Sequence, residues 1–572
     1  MRLRSTRSKT AEAGMALLMV MILSALALAL LASIMIWASS SSLQTHRSIQ
    51  YTRSVAAAEG ATEKVISQME QDFMNGGARQ VSNNLSLYRA NLVPTSADSS
   101  YWANWKFDDG NGNVGAVYIQ QVSVNNFDVL GSTFANLHGY YSIYNIVSHA
   151  SDTASSQQIN AGVFQSIKLM GIPIFQFSMF SPGDMEISCG QPFDISGRVH
   201  ANGNLYVEPD STLTFESSVT SGLNNLFERN PLDTRGPPAG SDVYVMTNQP
   251  VQNVTPLTLP IGVSNSPTAV REIIEPPPAG EDPNSPLGQL RYYNEADMVI
   301  VDSSNGLSIT TGSAGGFTTV QATNLPSFVS DTNSFYDARE GKTVEPITID
   351  VGALTTWTAT NTRIHNVATV YVLDTRSLPA TDLSAVRLYD GMTLPPNGLT
   401  VATGRPMYVQ GDYNELNSTN LGTANTSATE PASLVADAIT ILSDNWQDAN
   451  STAAVGSRIA TDTTVNAALL TGVVDTTLGH YSGGMENFPR FLETWGSGAT
   501  FTYNGSMVRM FPSLYATNVW GQANVYDPPR RNWAYDLNFE DPTKLPPKTP
   551  SLLQLNRSQW YTVPPRVNVV SQ

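Results

Sequence analysis

One segment near the start of the chain limits what the protein can be more than any other. From Met15 to Ala38 no residue carries a charge, and leucine, alanine and methionine dominate. These residues favour helix, and about 20 apolar helical residues span the roughly 30 Å of hydrocarbon in a bilayer. Trp37 lies at the end of the run, where an indole ring suits the membrane interface. The segment therefore predicts a membrane-spanning helix.

The residues on either side of this run predict its orientation. Basic residues precede it, namely Arg2, Arg4, Arg7 and Lys9. Positive residues stay in the cytoplasm, so we expect a single-pass membrane protein with a cytoplasmic N-terminus and a body, from Ser39 onwards, outside the cytoplasm. A secretory signal peptide and a plain uncleaved anchor are the alternatives. The apolar core of a signal peptide is usually shorter, about 7–15 residues.

The sequence after the run predicts that the helix continues outside the membrane. Residues 39–69 contain no proline, and Gly60 is their first glycine. Apolar residues fall on one face at helical spacing; they are Val55, Ala58, Val65, Ile66 and Met69. We expect a helix that is half membrane-embedded and half an amphipathic stalk.

With these features, residues 10–70 resemble the PilX-type minor pilins and related pilin-like proteins of type IV pilus and type II secretion systems. A basic leader ends in Gly14, the apolar helix starts at Met15, and "AAAEGATEKV" (56–65) is similar to a segment of that family. The resemblance implies that a prepilin peptidase cleaves between Gly14 and Met15. Major pilins carry glutamate at the fifth position after this cut. The chain has Met19 there, which implies a minor component rather than a bulk filament subunit.

The body after the stalk has the composition of β structure. Residues 114–124, 140–151 and 162–180 are rich in β-branched and aromatic residues and predict a small antiparallel meander. From residue 184 onwards, short apolar pairs at period two alternate with turn residues. This pattern predicts the coils of a β-helix (β-solenoid), and a large β-sandwich is the alternative.

These patterns divide the chain into five segments. In chain order they are a basic leader, a pilin-like transmembrane and stalk helix, a small β-rich meander domain, a β-helix-like domain and a proline-rich C-terminal strap. Their bounds are 1–14, 15–70, 71–183, 184–525 and 526–572, with a proline-rich insertion at about 225–300. We expect the insertion and the strap to lie outside the solenoid core.

Composition excludes several classes of function. The net charge of −17 provides no general attraction for nucleic acid, so no nucleic-acid partner is expected. The one cysteine, Cys189, cannot form an intrachain disulfide, and we expect it to be a small buried residue. The six histidines show no zinc-ligand spacing, which predicts no metal site. They are His46, His138, His149, His200, His365 and His480.

The sequence contains only fragments of catalytic and cofactor-binding motifs, so we expect a protein that is not an enzyme and binds no cofactor. "REGKTVE" ends like a phosphate-binding loop, but Tyr336 replaces the glycine five residues before Gly341. Residues 108–115 have the oxygen side chains of a calcium loop without its closing glutamate, and predict a turn. The carboxylates that could serve a polysaccharide-cleaving β-helix enzyme are Asp437, Asp444, Asp462 and Asp475, which we expect to be turn residues. Phe488, Phe491 and Trp495 are expected to pack on the solenoid rather than form an exposed shelf.

Three functions follow from these observations. The preferred one is a structural protein of a type IV pilus or type II secretion-like system, acting in pilus assembly or at the tip. Its partners would be the inner membrane, prepilin peptidase and other minor pilins or pseudopilins. The second is a membrane-anchored adhesin that binds a surface glycan or protein through its β body. The third is an envelope-tethered polysaccharide lyase or hydrolase.

Overall fold

The computed structural model describes residues 9–90, 92–130, 134, 137–236, 243–246, 248–313, 316–320, 325–360, 367–496 and 498–564. Within these residues a long N-terminal helix leads into a large β-rich body. The predicted fold class, an N-terminal helix followed by a mainly β body, is confirmed.

The first helix, α1, spans Lys9–Asn83, which is 75 residues. Its regular geometry breaks at Gly76 and Gly77, and Gly77 has φ 65°. Such a positive φ is easily adopted only by glycine, so this pair bends the helix after the stalk. A short helix α2 (Leu85–Arg89) follows. The helix thus extends past Met69, where the sequence pattern predicts its end.

The first sheet is antiparallel, as predicted for the meander. Its first four strands are β1 (Trp105–Asp108), β2 (Tyr118–Val129), β3 (His138–Asp152) and β4 (Ala161–Pro173). Strand β3 is central: β1 and β2 pair along one edge of it and β4 along the other. The second half of α1 packs on β3 and β4, so the predicted stalk and meander form one structural unit.

The following strands are short and pair in parallel. They are β5 (Met179–Ser181), β6 (Met185–Ile187), β7 (Phe193–Ile195), β8 (Val199–Ala201), β9 (Leu205–Val207), β10 (Thr212–Phe215), β11 (Val219–Ser221), β12 (Asn225–Leu226) and β13 (Val243–Met246). Every third strand stacks on the same face, as in β5–β8–β11. Met179 pairs with Val199 and Val199 with Val219, so equal steps along the chain return to the same face.

After β13 the chain contains the helices α3 (Pro267–Arg271) and α4 (Tyr292–Glu295). Three strands then form antiparallel hairpins at one end of the largest sheet. They are β14 (Met298–Ser303), β15 (Gly306–Ser313) and β16 (Gly316–Val320). Three more elements lead into the second set of coils: β17 (Val329–Ser330), β18 (Phe335–Asp337) and β19 (Lys342–Asp350), with helix α5 (Val351–Thr360) after them.

The second set of coils is again parallel. Its strands are β20 (Thr369–Asp374), β21 (Asp382–Tyr389), β22 (Leu399–Thr403), β23 (Met407–Gln410), β24 (Ala432–Ala436), β25 (Ile439–Leu442), β26 (Thr463–Asn466), β27 (Ala468–Val473), β28 (Arg490–Phe491), β29 (Thr500–Gly505), β30 (Met507–Pro512) and β31 (Arg530–Tyr535). Single-turn 3₁₀ helices lie at Ser100–Asn104, Ile174–Gln176, Glu272–Ile274, Ser418–Asn420, Asp448–Asn450, Val455–Ser457, Met485–Asn487 and Leu537–Glu540.

The order of strands in the largest sheet shows how the two sets of coils join. It runs β11-β8-β5-β30-β27-β24-β22-β20-β14-β15-β16. The last coil therefore stacks on the first, with Met507 paired to Met179. We call this β5–β30 contact the junction. The parallel pairing is that of a β-solenoid and differs from that of a β-sandwich, whose neighbouring strands run antiparallel.

The proline-rich segment between the two sets of coils packs on the outer face of the largest sheet. Leu257, Leu259, Val270 and Ile274 belong to a buried cluster with residues that point outward from that sheet. Along β24, Val435 points to this outer cluster, whereas its neighbours Leu434 and Ala436 belong to the solenoid interior. Both faces of the sheet are thus buried.

The C-terminal segment, predicted as a strap, divides between two sheets. β31 extends a third face of the solenoid by pairing with β29. The last strand, β32 (Ser551–Val563), pairs antiparallel with β4, and Leu555 lies opposite Leu169. The end of the chain thereby completes the sheet on which the N-terminal helix packs.

Candidate functional site: the N-terminal helix and its sheet

The first half of α1 makes no buried contact with the body. From Gly14 to Ile49 every residue is exposed, including Met15 at 71% and Trp37 at 72%. The segment is long and apolar enough to cross a membrane. A helix that is apolar on all sides is stable where lipid or other apolar helices surround it. This half of the helix is therefore built for a membrane or for packing with similar helices.

The predicted leader junction lies at the start of this exposed segment. The helix is continuous through Gly14 and Met15. A side chain at Gly14 would have no atom within 4 Å, so the fold itself sets no demand for glycine there. Met19, the fifth residue after the predicted cut, is 68% exposed.

The second half of α1 buries one face against the sheet. The buried residues recur every three or four positions; they are Ala57, Ala58, Ala61, Val65, Ile66, Met69 and Phe73. They share a core with Tyr144 and Ile146 of β3 and Ile167 of β4. Burial of each larger apolar side chain contributes about 2 kcal/mol, so this face holds the helix on the sheet.

The small residues of "AAAEGATEKV" have a packing role. An added Cβ at Gly60 would lie 2.9 Å from Cη2 of Trp102. The indole of Trp102 thus rests directly on the helix backbone, and its ring also contacts Tyr101 and Phe107. The sequence pattern that supports the family resemblance is explained here by close contact between helix, loop and sheet.

Polar contacts fix the rotation of the helix on the sheet. The Gln165 amide donates to Thr62 Oγ1 at 2.9 Å and to Glu63 Oε1 at 2.8 Å. Ser54 Oγ donates to the carbonyl of Ile159 at 2.7 Å. Arg557 of β32 forms an ion pair with Glu63, and its hydrogen bond lowers the pKa of the Glu63 carboxyl. Helix α1, strand β4 and the last strand β32 are therefore linked at one point.

Asp72 lies on α1 near the end of the stalk, just before the glycine bend. Its carboxylate accepts hydrogen bonds from Tyr88 Oη at 2.5 Å, Asn84 Nδ2 at 2.8 Å and Gln68 Nε2 at 3.1 Å. Burial and the bond to Asp72 raise the pKa of Tyr88. Since Asn84 and Tyr88 follow the glycine bend, these bonds hold the turn against the stalk.

The four candidate carboxylates of the solenoid have separate surroundings. Asp437 is fully buried, accepts bonds from the backbone N–H groups of 514–516, and pairs with Arg271 at 2.8 Å. Asp462 accepts a bond from the Thr500 N–H, and Asp475 pairs with Arg509. Asp444 lies against Gly411, where an added Cβ would meet its Oδ1. These contacts support coil turns and loops.

The other candidate residues also lie in structural positions. Phe488, Phe491 and Trp495 are buried in the solenoid interior. The prediction that these rings pack on the solenoid and do not form an exposed shelf is confirmed. Cys189 is buried, as expected, and burial raises the pKa of its thiol to about 12.

The two loop motifs form turns. Asp109 accepts bonds from the N–H groups of Asn111 and Asn113, which makes 108–115 a turn. Gly341 lies in a turn that leads into strand β19 rather than a helix.

Histidines are scattered through the described part of the chain. His200 donates to or accepts from Thr220 and Asn202, and His149 lies beside Asp108. His365 lies outside the described residues. Within the described residues there is no group of three or more histidine, cysteine or acidic side chains that could hold a metal ion.

Sequence reasoning missed the partners of the helix that come from distant parts of the chain. Trp102 and Arg557 carry no motif. The alternating "SLLQLNRSQWYTV" of β32 is a recognisable strand pattern, but its pairing with β4 joins residues far apart in sequence. Local patterns predict elements, whereas such a pairing depends on the whole fold.

Comparison with known proteins gives little further information. No protein-family model and no curated protein matches the chain. Among solved structures, the chain is similar to the competence-associated pilin ComZ from Thermus thermophilus, with 10% sequence identity and a TM-score of 0.29. The match covers 86% of this chain and 97% of that chain. At this identity and score, the likeness assigns neither family nor function.

Proposed function

We propose that the chain is a minor pilin-like or pseudopilin-like structural protein of a bacterial type IV pilus or type II secretion-like system. The observation that carries the proposal is the divided helix α1. Its first half is apolar on all sides and free of the body, and its second half is fastened to an antiparallel sheet. Such a helix can be stored in the inner membrane and later pack with other helices of the same kind.

The proposal assigns a role to each part of the chain. Prepilin peptidase removes the basic leader between Gly14 and Met15 on the cytoplasmic side. The stalk and its sheet connect the filament helix to the solenoid body. A body of this size is difficult to accommodate at every step of a thin filament, which favours a position at the tip or in initiating assembly.

N-terminal sequencing of the full chain from membranes tests the proposal. In cells with active prepilin peptidase we expect the mature protein to begin at Met15, and in cells without the peptidase at Met1. Gly14→Val should block the cut. Ala25→Val, which places the same side chain inside the exposed apolar run, is the control and should be cut normally.

Two results would contradict the proposal. A start at Met1 in the presence of active peptidase would indicate an uncleaved anchor. A start near Ser40 would indicate a secretory signal peptide and release of the body from the membrane.

A further inference from the structure

Few backbone bonds join the first and last coils of the solenoid. On one face, β5 and β30 pair through two residues each, Met179 with Met507 and Phe180 with Val508. Inside the second set of coils, β24 and β27 share four such pairs. On the other two faces the sheets stop at this boundary, since β6 and β7 are each the last strand of a three-stranded sheet. In the described part of the chain, side chains therefore close most of the boundary at the junction.

Two glutamates, one from each side, bond across this boundary. Glu486 of the last coils accepts a hydrogen bond from the Ser188 N–H of the first coils at 3.1 Å. Glu186 of the first coils accepts one from Thr476 Oγ1 of the last coils at 2.8 Å. Each glutamate thus reaches a group on the opposite side. The two side chains form a reciprocal contact where the backbone pairing stops.

Both glutamates are buried among neutral hydrogen-bond donors. Glu486 is 1% exposed and Glu186 8%. Their remaining bonds come from Tyr481 Oη, at 3.0 Å from Glu486, and from Asn230 Nδ2, at 3.1 Å from Glu186. A buried carboxylate without a bonded cation is costly, whereas the neutral carboxyl group is tolerated. Burial accordingly raises the pKa of Glu486 to about 7 and also raises the pKa of Glu186.

The cations near these glutamates bond to other groups. Arg235 pairs with Asp233, and Arg509 pairs with Asp475. The titratable side chains around Glu486 are Cys189, Arg235, Tyr481, Tyr526 and Arg531. Those around Glu186 are Tyr206, Asp233, Tyr481 and Arg509. The cations among them attract the two carboxylates through space but form no hydrogen bond with either one.

From this arrangement we infer that the boundary at the junction is a pH-sensitive closure controlled by Glu186 and Glu486. When the first and last coils separate, water reaches both carboxyl groups, and the pKa of Glu486 returns towards its ordinary value of 4.5. Between about 4.5 and about 7 the closed form therefore binds more protons than the open form. Closure is favoured below this range, and the advantage is lost as the pH rises through it. The inference goes beyond the proposed pilin-like function and does not depend on leader cleavage.

Hydrogen–deuterium exchange of the full chain in detergent tests this inference. Exchange is measured at pH 5 and pH 8 by mass spectrometry with fragmentation to single residues, and each rate is divided by that of the unfolded chain. The reporters are amides bonded across the boundary, namely the Ser188 N–H and the Met507 N–H, which donates to the Ser178 carbonyl at 2.8 Å. Their protection should fall at least about tenfold from pH 5 to pH 8, because each pKa unit corresponds to a tenfold change in the equilibrium. The Leu399 and Met407 amides, bonded inside the second set of coils, are the internal control and should change less.

Two substitutions assign the pH effect to the glutamates. Glu486→Gln and Glu186→Gln each keep an oxygen that accepts the bond across the boundary, but neither side chain can become charged. Each should reduce the loss of protection at pH 8, and the double variant should abolish it. Glu228→Gln, at an exposed position in the first coils, is the matched control and should keep the natural pH effect. Thermal unfolding checks that each variant is folded.

Three results would overturn the inference. The first is equal protection of the Ser188 and Met507 amides at pH 5 and pH 8. The second is an equal loss at the Leu399 and Met407 amides, which would mean that the whole solenoid opens. The third is a pH effect that persists in the double variant. None of these results depends on where the mature chain begins, so they can be distinguished from a failure of the proposed function.

Discussion

Gly60 and Trp102 are in direct contact: a Cβ built on Gly60 would lie 2.9 Å from the tip of the Trp102 indole. The contact joins the stalk of α1 to the loop before the antiparallel sheet. Distances below about 3 Å are rare for real Cβ atoms, so a larger residue at position 60 must displace either the ring or the helix.

Gly60→Leu should therefore destabilise the attachment of the helix to the sheet. Overpacking of a well-packed site costs about 1–3 kcal/mol, which here exceeds the gain in helix propensity of about 1 kcal/mol. Thermal unfolding of the full chain in detergent should show a lower midpoint. Ala56→Leu introduces the same side chain at an exposed position on the same helix and should change the midpoint little. Equal midpoints for the two variants would show that the contact can relax without cost.

The ion pair between Glu63 and Arg557 should make this attachment sensitive to acid. The hydrogen bond from Arg557 lowers the pKa of Glu63 in the folded protein. Stability from this pair is thus present above the ordinary carboxyl pKa and is lost as the pH falls through the lowered one. Both side chains are partly exposed, so the effect should be small, within about 1 kcal/mol.

Glu63→Gln tests this expectation. Denaturant unfolding of the variant should lose less stability between neutral and acidic pH than that of the natural protein. Glu228→Gln, at an exposed position in the solenoid, should keep the natural pH dependence. If Glu63→Gln and the natural protein respond identically to acid, the ion pair is not formed in solution.

Asp437 should matter for stability. Its carboxylate accepts three backbone N–H bonds and pairs with Arg271, which lies in the proline-rich segment on the outer face of the sheet. Removal of one partner from a buried pair costs about 3–5 kcal/mol, because the other charge is left unpaired. Asp437→Ala should therefore lower the free energy of unfolding strongly, and Asp475→Ala, whose carboxylate is half-exposed, only slightly.

The same variants address the polysaccharide-cleaving hypothesis. That hypothesis requires activity on an acidic glycan that is lost when the candidate carboxylates are substituted. If Asp437→Ala remained as stable as the natural protein, the structural role assigned to this residue would be wrong.

Features that depend on neighbouring residues could be predicted from the sequence, whereas contacts between residues far apart in sequence could not. The membrane-length helix from Met15 onwards follows from local composition, and so do the short strands of the solenoid. The stalk extends beyond Met69 because the helix ends only after the bend at Gly76 and Gly77. Residues 71–75 include Phe73 and Met74, but the glycine pair and the polar residues that follow indicate a loop, so the sequence pattern does not predict that continuation.

The arrangement of the coils could not be predicted from local patterns. Met179 pairs with Met507 across most of the body, and strands of three or four residues do not specify their neighbours. The packing of Leu257 and Ile274 on the outer face of the largest sheet could not be predicted either, because a proline-rich composition indicates loops.

His200 should make the solenoid sensitive to mild acid. The ring is fully buried, with Nδ1 2.8 Å from Thr220 Oγ1 and Nε2 2.9 Å from Asn202 Oδ1, and burial lowers its pKa to about 4. In the unfolded chain the pKa is about 6.5, so between these values the unfolded state binds the additional proton. The contribution of His200 to stability should therefore fall as the pH decreases from about 6.5 to about 4, by about 3 kcal/mol in total, and should be constant below that range.

Denaturant unfolding of His200→Gln over this pH range measures the effect. The variant keeps a polar side chain that can bond to Thr220 or Asn202, and its stability should change less with pH than that of the natural protein. His46→Gln, at an exposed position on α1, removes a histidine without removing a buried ring and should retain the natural pH dependence. If His200→Gln and the natural protein showed the same pH dependence, His200 would not contribute the expected titration and would not be buried in its neutral form.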